Sequence, residues 1–181
     1  MRFYFSAALL GFLGGCASLT ENQCLNANWQ SIGYSDGARG RLESYVSRHF
    51  DACSRVDITP DVAAWQAGRA QGLPLYCTVE NAYSIGRDGD NLSPVCPASQ
   101  QRALHQFWDW GYAYYELSQD ISELENDARD IRRRIAVEFS VEPLTPEQIA
   151  ALAQLETRLT RIKLKIRQLE LRQRRYDSPP F

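Results

Sequence analysis

The sequence predicts a mainly α-helical protein, in which a small disulfide-tied helical module with an internal duplication precedes a long antiparallel two-helix coiled-coil hairpin. Three observations predict this fold class. The N-terminal part repeats a spacing of Cys, Trp and Gly residues, four cysteines besides Cys16 allow two disulfides, and the C-terminal part carries two heptad patterns of apolar residues.

The first element is a leader that ends in an acylation site. Residues 3–15 are largely apolar and follow the charge of Arg2, but they are too few for a membrane span, which takes about 20. A basic start, a short apolar run and small residues describe a secretory signal peptide. Leu13-Gly14-Gly15-Cys16 resembles the bacterial lipobox, so we expect residues 1–15 to be cleaved and Cys16 to carry palmitate-type acyl chains. An incidental cysteine after an ordinary leader and a retained span are the alternatives.

The residues after the leader indicate a location. Two or more acyl chains anchor a protein stably, so Cys16 would hold the chain at a membrane, with residues 16–23 as a lipidated tether. Lipoproteins retained at the inner membrane usually carry Asp after the cysteine, and Ala17 stands there instead. The expected location is therefore the outer membrane, facing the periplasm.

Composition argues against nucleic-acid and metal binding. The 20 Lys and Arg residues against 22 Asp and Glu leave no basic domain, so no nucleic-acid partner is expected. An even number of remaining cysteines in an exported chain predicts two disulfides. Their spacing contains no CxxC pair, so we expect neither a zinc site nor a cofactor. These cysteines are Cys24, Cys53, Cys77 and Cys96.

The module spans residues 24–111 and contains a duplication. CLNANWQSIG, from Cys24, and CTVENAYSIG, from Cys77, each place eight residues between Cys and Gly, and an Asp-Gly turn follows each. Cys53 and Cys96 each stand twelve residues before a Trp that has a Gly three residues later. The Trp and Gly residues of the two copies are Trp65 with Gly68 and Trp108 with Gly111.

Short helices are expected in the module, and their order bears on the disulfides. The helices are expected over 26–35, 41–53, 59–72 and 81–86. Four cysteines allow three connectivities, and sequence alone does not fix one. A chain that turns back at Gly37–Gly40 brings Cys24 and Cys53 to the same end, which favours Cys24–Cys53 and, by the same logic, Cys77–Cys96.

Two motifs raise the question of a ligand or a reaction. Trp108, Trp110 and Tyr112 lie in the densest aromatic patch and could form a platform for a glycan, although small helical cores also need large aromatics. Residues 33–37, GYSDG, match the GxSxG elbow of hydrolases, which requires a strand before the serine. No strand is expected there, so we predict no catalytic residue and no enzyme.

The hairpin is expected over residues 112–176, with a tail over 177–181. Apolar residues recur in steps of three and four from Phe107 to Ile135 and again from Leu152 to Leu169. Thr145-Pro146-Glu147-Gln148 is a capping box, so one helix should end near Phe139 and the next begin near Pro146. Such a short link implies antiparallel neighbours.

Charge supports that orientation. If the chain folds back near residue 142 or 143, residue i lies near residue 285 − i. The five acidic residues over 116–127 then face the eight basic residues over 158–175. Exposed pairs contribute little free energy, so their expected role is to set orientation.

The Trp, Gly and Cys pattern resembles an uncharacterised family of proteobacterial lipoproteins, domain of unknown function 2799. The resemblance covers about residues 24–115 and implies an envelope location without implying any activity. The residues that carry it are Trp29, Gly33, Asp36, Gly37, Gly40, Trp65, Gly68, Gly72, Leu73, Tyr76, Cys77, Thr78, Asn81, Tyr83, Gly86, Gly89, Val95, Cys96 and Pro97.

These features together favour a non-enzymatic, lipid-anchored envelope protein. Its membrane partner would be reached through the lipid, and a protein partner or a second copy through the hairpin. A glycan- or peptidoglycan-binding module is the alternative, and a hydrolase acting through GYSDG is the third hypothesis.

Overall fold

The computed structural model describes residues 17–141 and 143–180, and the predicted all-α class is confirmed. These residues are 77% helical and contain no strand. No helix among them combines the length and hydrophobicity that a bilayer crossing needs. The leader, residues 1–15, and the predicted lipidation site, Cys16, lie outside the described residues.

Seven α-helices follow one another along the described chain. They are α1 Glu21–Leu25, α2 Trp29–Ala38, α3 Val46–Cys53, α4 Val62–Tyr76, α5 Val79–Arg87, α6 Ala98–Glu138 and α7 Pro146–Gln173, with 3₁₀ turns at Glu43–Tyr45, Ser54–Val56 and Arg174–Tyr176. Five helices have a capping residue at their start, whose side-chain oxygen accepts a hydrogen bond from the backbone N–H of the residue three positions later. This bond satisfies one otherwise unpaired donor. Those caps are Thr20, Asn28, Asp61, Thr78 and Thr145.

The helices differ from the predicted ranges at their ends. The first main helix begins at Trp29 instead of residue 26, because Asn28 caps it. The helix predicted to end at Gly72 continues to Tyr76, and Pro74 stands within its last turns.

The module is built from two pairs of parallel helices. In the first pair α2 packs on α4, and in the second α5 packs on the N-terminal part of α6. Glycines bring the backbones together: a Cβ on Gly37 would overlap the carbonyl oxygen of Arg69, and one on Gly72 would overlap that of Tyr34. In the first copy Gly33 and Gly68 make the same kind of contact one turn earlier.

The two copies share a set of contacts that fixes their register. Gly86 lies against Trp108 and Tyr112 as Gly37 lies against Arg69 and Leu73. Positive-φ glycines then end both helices, and each lies under a tyrosine ring, Gly40 under Tyr76 and Gly89 under Tyr115. A side-chain N–H from the second helix also bonds the turn in both copies: Arg69 Nε donates to the carbonyl of Arg41, and Trp108 Nε1 to that of Asp90, both at 2.8 Å.

This register differs from the sequence match by one helical turn. Gly86 is equivalent to Gly37, not to Gly33, and Trp65 is equivalent to Leu104, not to Trp108. Trp65 and Leu104 are both fully buried, whereas Trp108 is half-buried. The sequence match slipped because the first copy carries two glycine pairs one turn apart.

The disulfides are Cys24–Cys53 and Cys77–Cys96, the pairing that the duplication favoured. Their Cα atoms are 5.5 and 5.6 Å apart, within the usual range for a disulfide. The first bridge ties α1 to the end of α3. Helix α3 returns the chain to the start of α2, and α4 begins there. The second joins the start of α5 to the loop before α6.

The hairpin has the predicted antiparallel form. Helix α6 ends at Glu138 and α7 begins at Pro146 with the predicted capping box. Ala128, Ile131 and Ile162 form the centre of its core, and five of the heptad residues pack around them: Leu124, Ile135, Leu155, Leu159 and Ile166.

Helix α6 belongs to both parts of the molecule. It begins in the second copy of the module and continues without a break into the hairpin, so the boundary drawn at residues 111 and 112 falls inside a helix.

One ion pair in the hairpin, Arg158 with Asp127 at 3.5 Å, obeys the 285 − i relation. Closer to the module, Gln173 bonds Ser118. The 285 − i relation would instead place residue 167 opposite Ser118, six residues earlier.

Candidate functional site

The predicted tether is fixed to the module through a buried polar network. Ser18 Oγ donates to the backbone carbonyl of Arg48 at 2.8 Å and lies 2.9 Å from His49 Nδ1. His49 Nε2 is 2.7 Å from Asp36 Oδ2, which also accepts from Trp65 Nε1 at 2.9 Å. Asp36 and His49 are the two buried polar side chains of the described core.

Helix packing makes this network possible. Asp36 lies on α2, His49 on α3 and Trp65 on α4, so one carboxylate oxygen holds three elements together. The contacts run without a break from Trp65 through Asp36 and His49 to Ser18. Buried polar groups cost free energy unless they are hydrogen-bonded. The network therefore stabilises the first copy only while all of its hydrogen bonds are formed.

The order Ser18, His49, Asp36 has the composition of a hydrolase triad, but its geometry favours a structural role. The Ser18 hydroxyl already donates to a backbone carbonyl, whereas a nucleophilic serine gives its proton to the imidazole. The carboxylate oxygen is shared with Trp65. We interpret the network as the attachment of residues 17–20 to the module.

The GYSDG stretch lies inside α2, not at the turn between a strand and a helix. Ser35 therefore lacks the strained backbone that a nucleophile elbow requires. The two glycines make the close contact with α4. Asp36, in the fourth position, supplies the carboxylate of the buried network. No group of three metal-ligating side chains occurs in residues 17–141 and 143–180.

The three residues proposed as a ligand platform do not form one surface. Trp108 and Tyr112 stack at 4.8 Å between ring centroids, with an interplanar angle of 17°. Trp110 instead contacts the ring of Tyr176 at 4.7 Å, and its Nε1 donates to the carbonyl of Ser178 at 2.8 Å.

The contacts of Trp110 belong to a C-terminal clamp, which we define as the binding of residues 176–178 to the second copy. Tyr83 Oη donates to the carbonyl of Tyr176, and Arg87 donates to both the carbonyl and the carboxylate of Asp177. Burial of Arg87 tends to lower the pKa of its guanidinium, but its hydrogen bonds and electrostatic interactions with Tyr83 and Tyr114 together outweigh burial and the pKa is raised, so Arg87 stays cationic. The clamp is absent from the sequence prediction, which gave residues 177–181 as a tail.

The far end of the hairpin exposes apolar side chains. Val137, Val141 and Ile149 are 71, 77 and 56% exposed, and they lie within or beside the link between α6 and α7. On the outer face of α7, Leu164 and Leu171 are exposed two turns apart among basic residues.

The fold and these sites define the class of protein: an all-α, disulfide-tied repeat module that carries a helical hairpin. Residues 28–113 match the model of a family described as "Protein of unknown function (DUF2799)", so the module is similar to that family. The match covers the paired helices of both copies and confirms the resemblance to domain of unknown function 2799. No curated protein and no solved structure matches the chain.

Proposed function

We propose that the protein is a non-enzymatic, lipid-anchored envelope protein that presents its hairpin to a protein partner. Acyl chains on Cys16 would hold the module at the outer membrane, facing the periplasm. The hairpin would contact another envelope protein or a second copy of this chain.

The observation that carries this proposal is the apolar tip, meaning Val137, Val141 and Ile149. A hairpin of this width buries one row of apolar residues between its helices, and these three stay outside that row. Single exposed apolar residues are common, but three around one short link form a feature that association would bury.

The connection between tip and module gives the tip a mechanical role. The 28 residues of α7 extend about 42 Å. Continuous α6 and the C-terminal clamp fix the base of the hairpin at two places, so a contact at the tip would be transmitted to the module. The network at Ser18 supports the proposed anchoring, because it bonds the chain to the module only two residues after Cys16.

Photo-crosslinking in intact cells tests the tip. A photoreactive residue at Val141 should give one specific adduct, either with another protein or with a second copy. The same residue at Gln154, exposed on α7 away from the tip, is the matched control and should give none. Equal labelling from both positions, or none from Val141, would contradict the proposed docking at the tip.

A further inference from the structure

We propose that an arginine-lined groove between the two copies binds a phosphate group, either free or as a phospholipid head group. The groove encloses about 800 Å³. Its lining comes from the segment between α2 and α3 with the first turn of α3, from the end of α5 with the loop that follows, and from Tyr76. The groove is therefore a product of the duplication and does not exist in either copy alone.

Three guanidinium groups give the groove its charge. Arg39, Arg41 and Arg48 line it, and none has a carboxylate within ion-pair distance in the described part of the chain. The guanidinium carbons of Arg41 and Arg48 lie 4.6 and 5.5 Å from the centroid of the Tyr45 ring. Cation–π contact gathers the two groups on one ring and leaves their hydrogen-bond donors for a ligand.

The guanidinium fork suits a phosphate, because two parallel N–H donors match two phosphate oxygens. One acidic residue, Asp90, also lines the groove, and its backbone carbonyl already accepts from Trp108. Its carboxylate is exposed and would repel an anion, so it opposes the arginines without cancelling them.

The groove also lies beside the attachment of the N-terminal segment. Ser18 bonds the backbone of Arg48, whose side chain lines the groove. Leu42, 49% exposed, adds an apolar side chain to the rim. The proposed acylation of Cys16 would bring this rim close to lipid head groups, but phosphate recognition by the groove does not depend on it.

The test uses the mature chain, residues 16–181, with Cys16→Ser, so that its own acyl chains cannot cause binding. Inorganic phosphate is titrated while the arginine side-chain signals are followed by NMR. Co-sedimentation is measured with vesicles of phosphatidylcholine, alone and mixed equally with phosphatidylglycerol. The groove variant is Arg41→Gln with Arg48→Gln, and the matched control removes the same charge from α7 as Arg161→Gln with Arg167→Gln.

Phosphate should shift the signals of Arg41 and Arg48, and the groove variant should bind roughly tenfold more weakly, as the loss of two exposed ion pairs implies. The α7 control should bind as the parent does. Asp90→Asn should bind more tightly, since it removes a repulsive charge and leaves the backbone bond from Trp108 in place.

The two probes separate the sources of phosphate. Vesicle binding that the groove variant loses and the α7 control keeps indicates a head group, whereas a response to inorganic phosphate alone indicates a free phosphate ligand. Binding of neither probe, or equal losses in the groove variant and the α7 control, would overturn the proposal. Because Cys16 is absent, failure of this test is distinct from failure of the proposed anchoring.

Discussion

At the scale of single residues, Asp36 connects more of the module than any other polar side chain described here. Its carboxylate oxygen accepts from Trp65 and lies 2.7 Å from His49 Nε2, and all three residues are buried. Removing an acceptor from such a site leaves two buried donors unpaired, which costs more than the net value of either bond.

We therefore expect Asp36→Ala to lower the free energy of unfolding by about 3 kcal/mol or more. Urea unfolding followed by far-UV circular dichroism measures it. Asp109→Ala, at an exposed position on α6, is the control and should stay within about 0.5 kcal/mol of the parent. If the two variants lose the same stability, the network has no special role.

Glycine substitution gives a second test at this scale, because the expected sign is the reverse of the usual one. Gly→Ala inside a helix normally stabilises by up to about 1 kcal/mol. At Gly37 the added Cβ would overlap the carbonyl of Arg69, so Gly37→Ala should destabilise by about 3 kcal/mol. Ser35→Ala in the same helix is the control, and a stabilising Gly37→Ala would contradict parallel packing of α2 on α4.

The sequence was informative about some residues and silent about others. The duplication favoured the correct cysteine pairs, because a turn at Gly37–Gly40 brings Cys24 and Cys53 to the same end of the first copy. It could not indicate that Asp36, His49 and Ser18 meet, because they lie on separate elements whose positions depend on the glycine contacts between α2 and α4.

At the scale of elements, periodicity predicted the hairpin well and the module less well. Heptads and a capping box are local signals, so the end of α6 and the start of α7 were predicted within one residue. In the module the same residue types recur at one-turn intervals, so a sequence match cannot choose between registers one turn apart. The C-terminal clamp had no local signal, because residues 176–178 bind positions about 70 to 90 residues earlier.

The helical register of the hairpin can be tested by cross-linking. Ser118→Cys with Gln173→Cys should form a disulfide more readily than a pair with one side chain turned to solvent, because the hydrogen bond between Gln173 and Ser118 shows that these residues face each other across the hairpin. Ile121→Cys with Leu164→Cys, the pair that the 285 − i relation gives, should form one poorly, because Leu164 is 65% exposed. Mass spectrometry after mild oxidation compares them, and preferential linking of 121 to 164 would contradict this register.

At the scale of the whole molecule, the parts form a continuous connection from the N-terminal segment to the hairpin tip. Ser18 is bonded to the first copy, the copies adjoin at the arginine groove, and the second copy continues as α6. Such a molecule suits a role in which a membrane anchor and a distant contact must be held in fixed relation. That role depends on acylation of Cys16, which the sequence predicts from the lipobox.

The most direct measurement is mass spectrometry of the N-terminal peptide from protein purified out of the membrane fraction. We expect a peptide that begins at Cys16, carries a diacylglyceryl group on the thiol and an acyl chain on the amine, and disappears in Cys16→Ser. A mature chain that begins at another residue, or that has a free thiol at Cys16 while remaining bound to the membrane, would contradict the proposed anchoring.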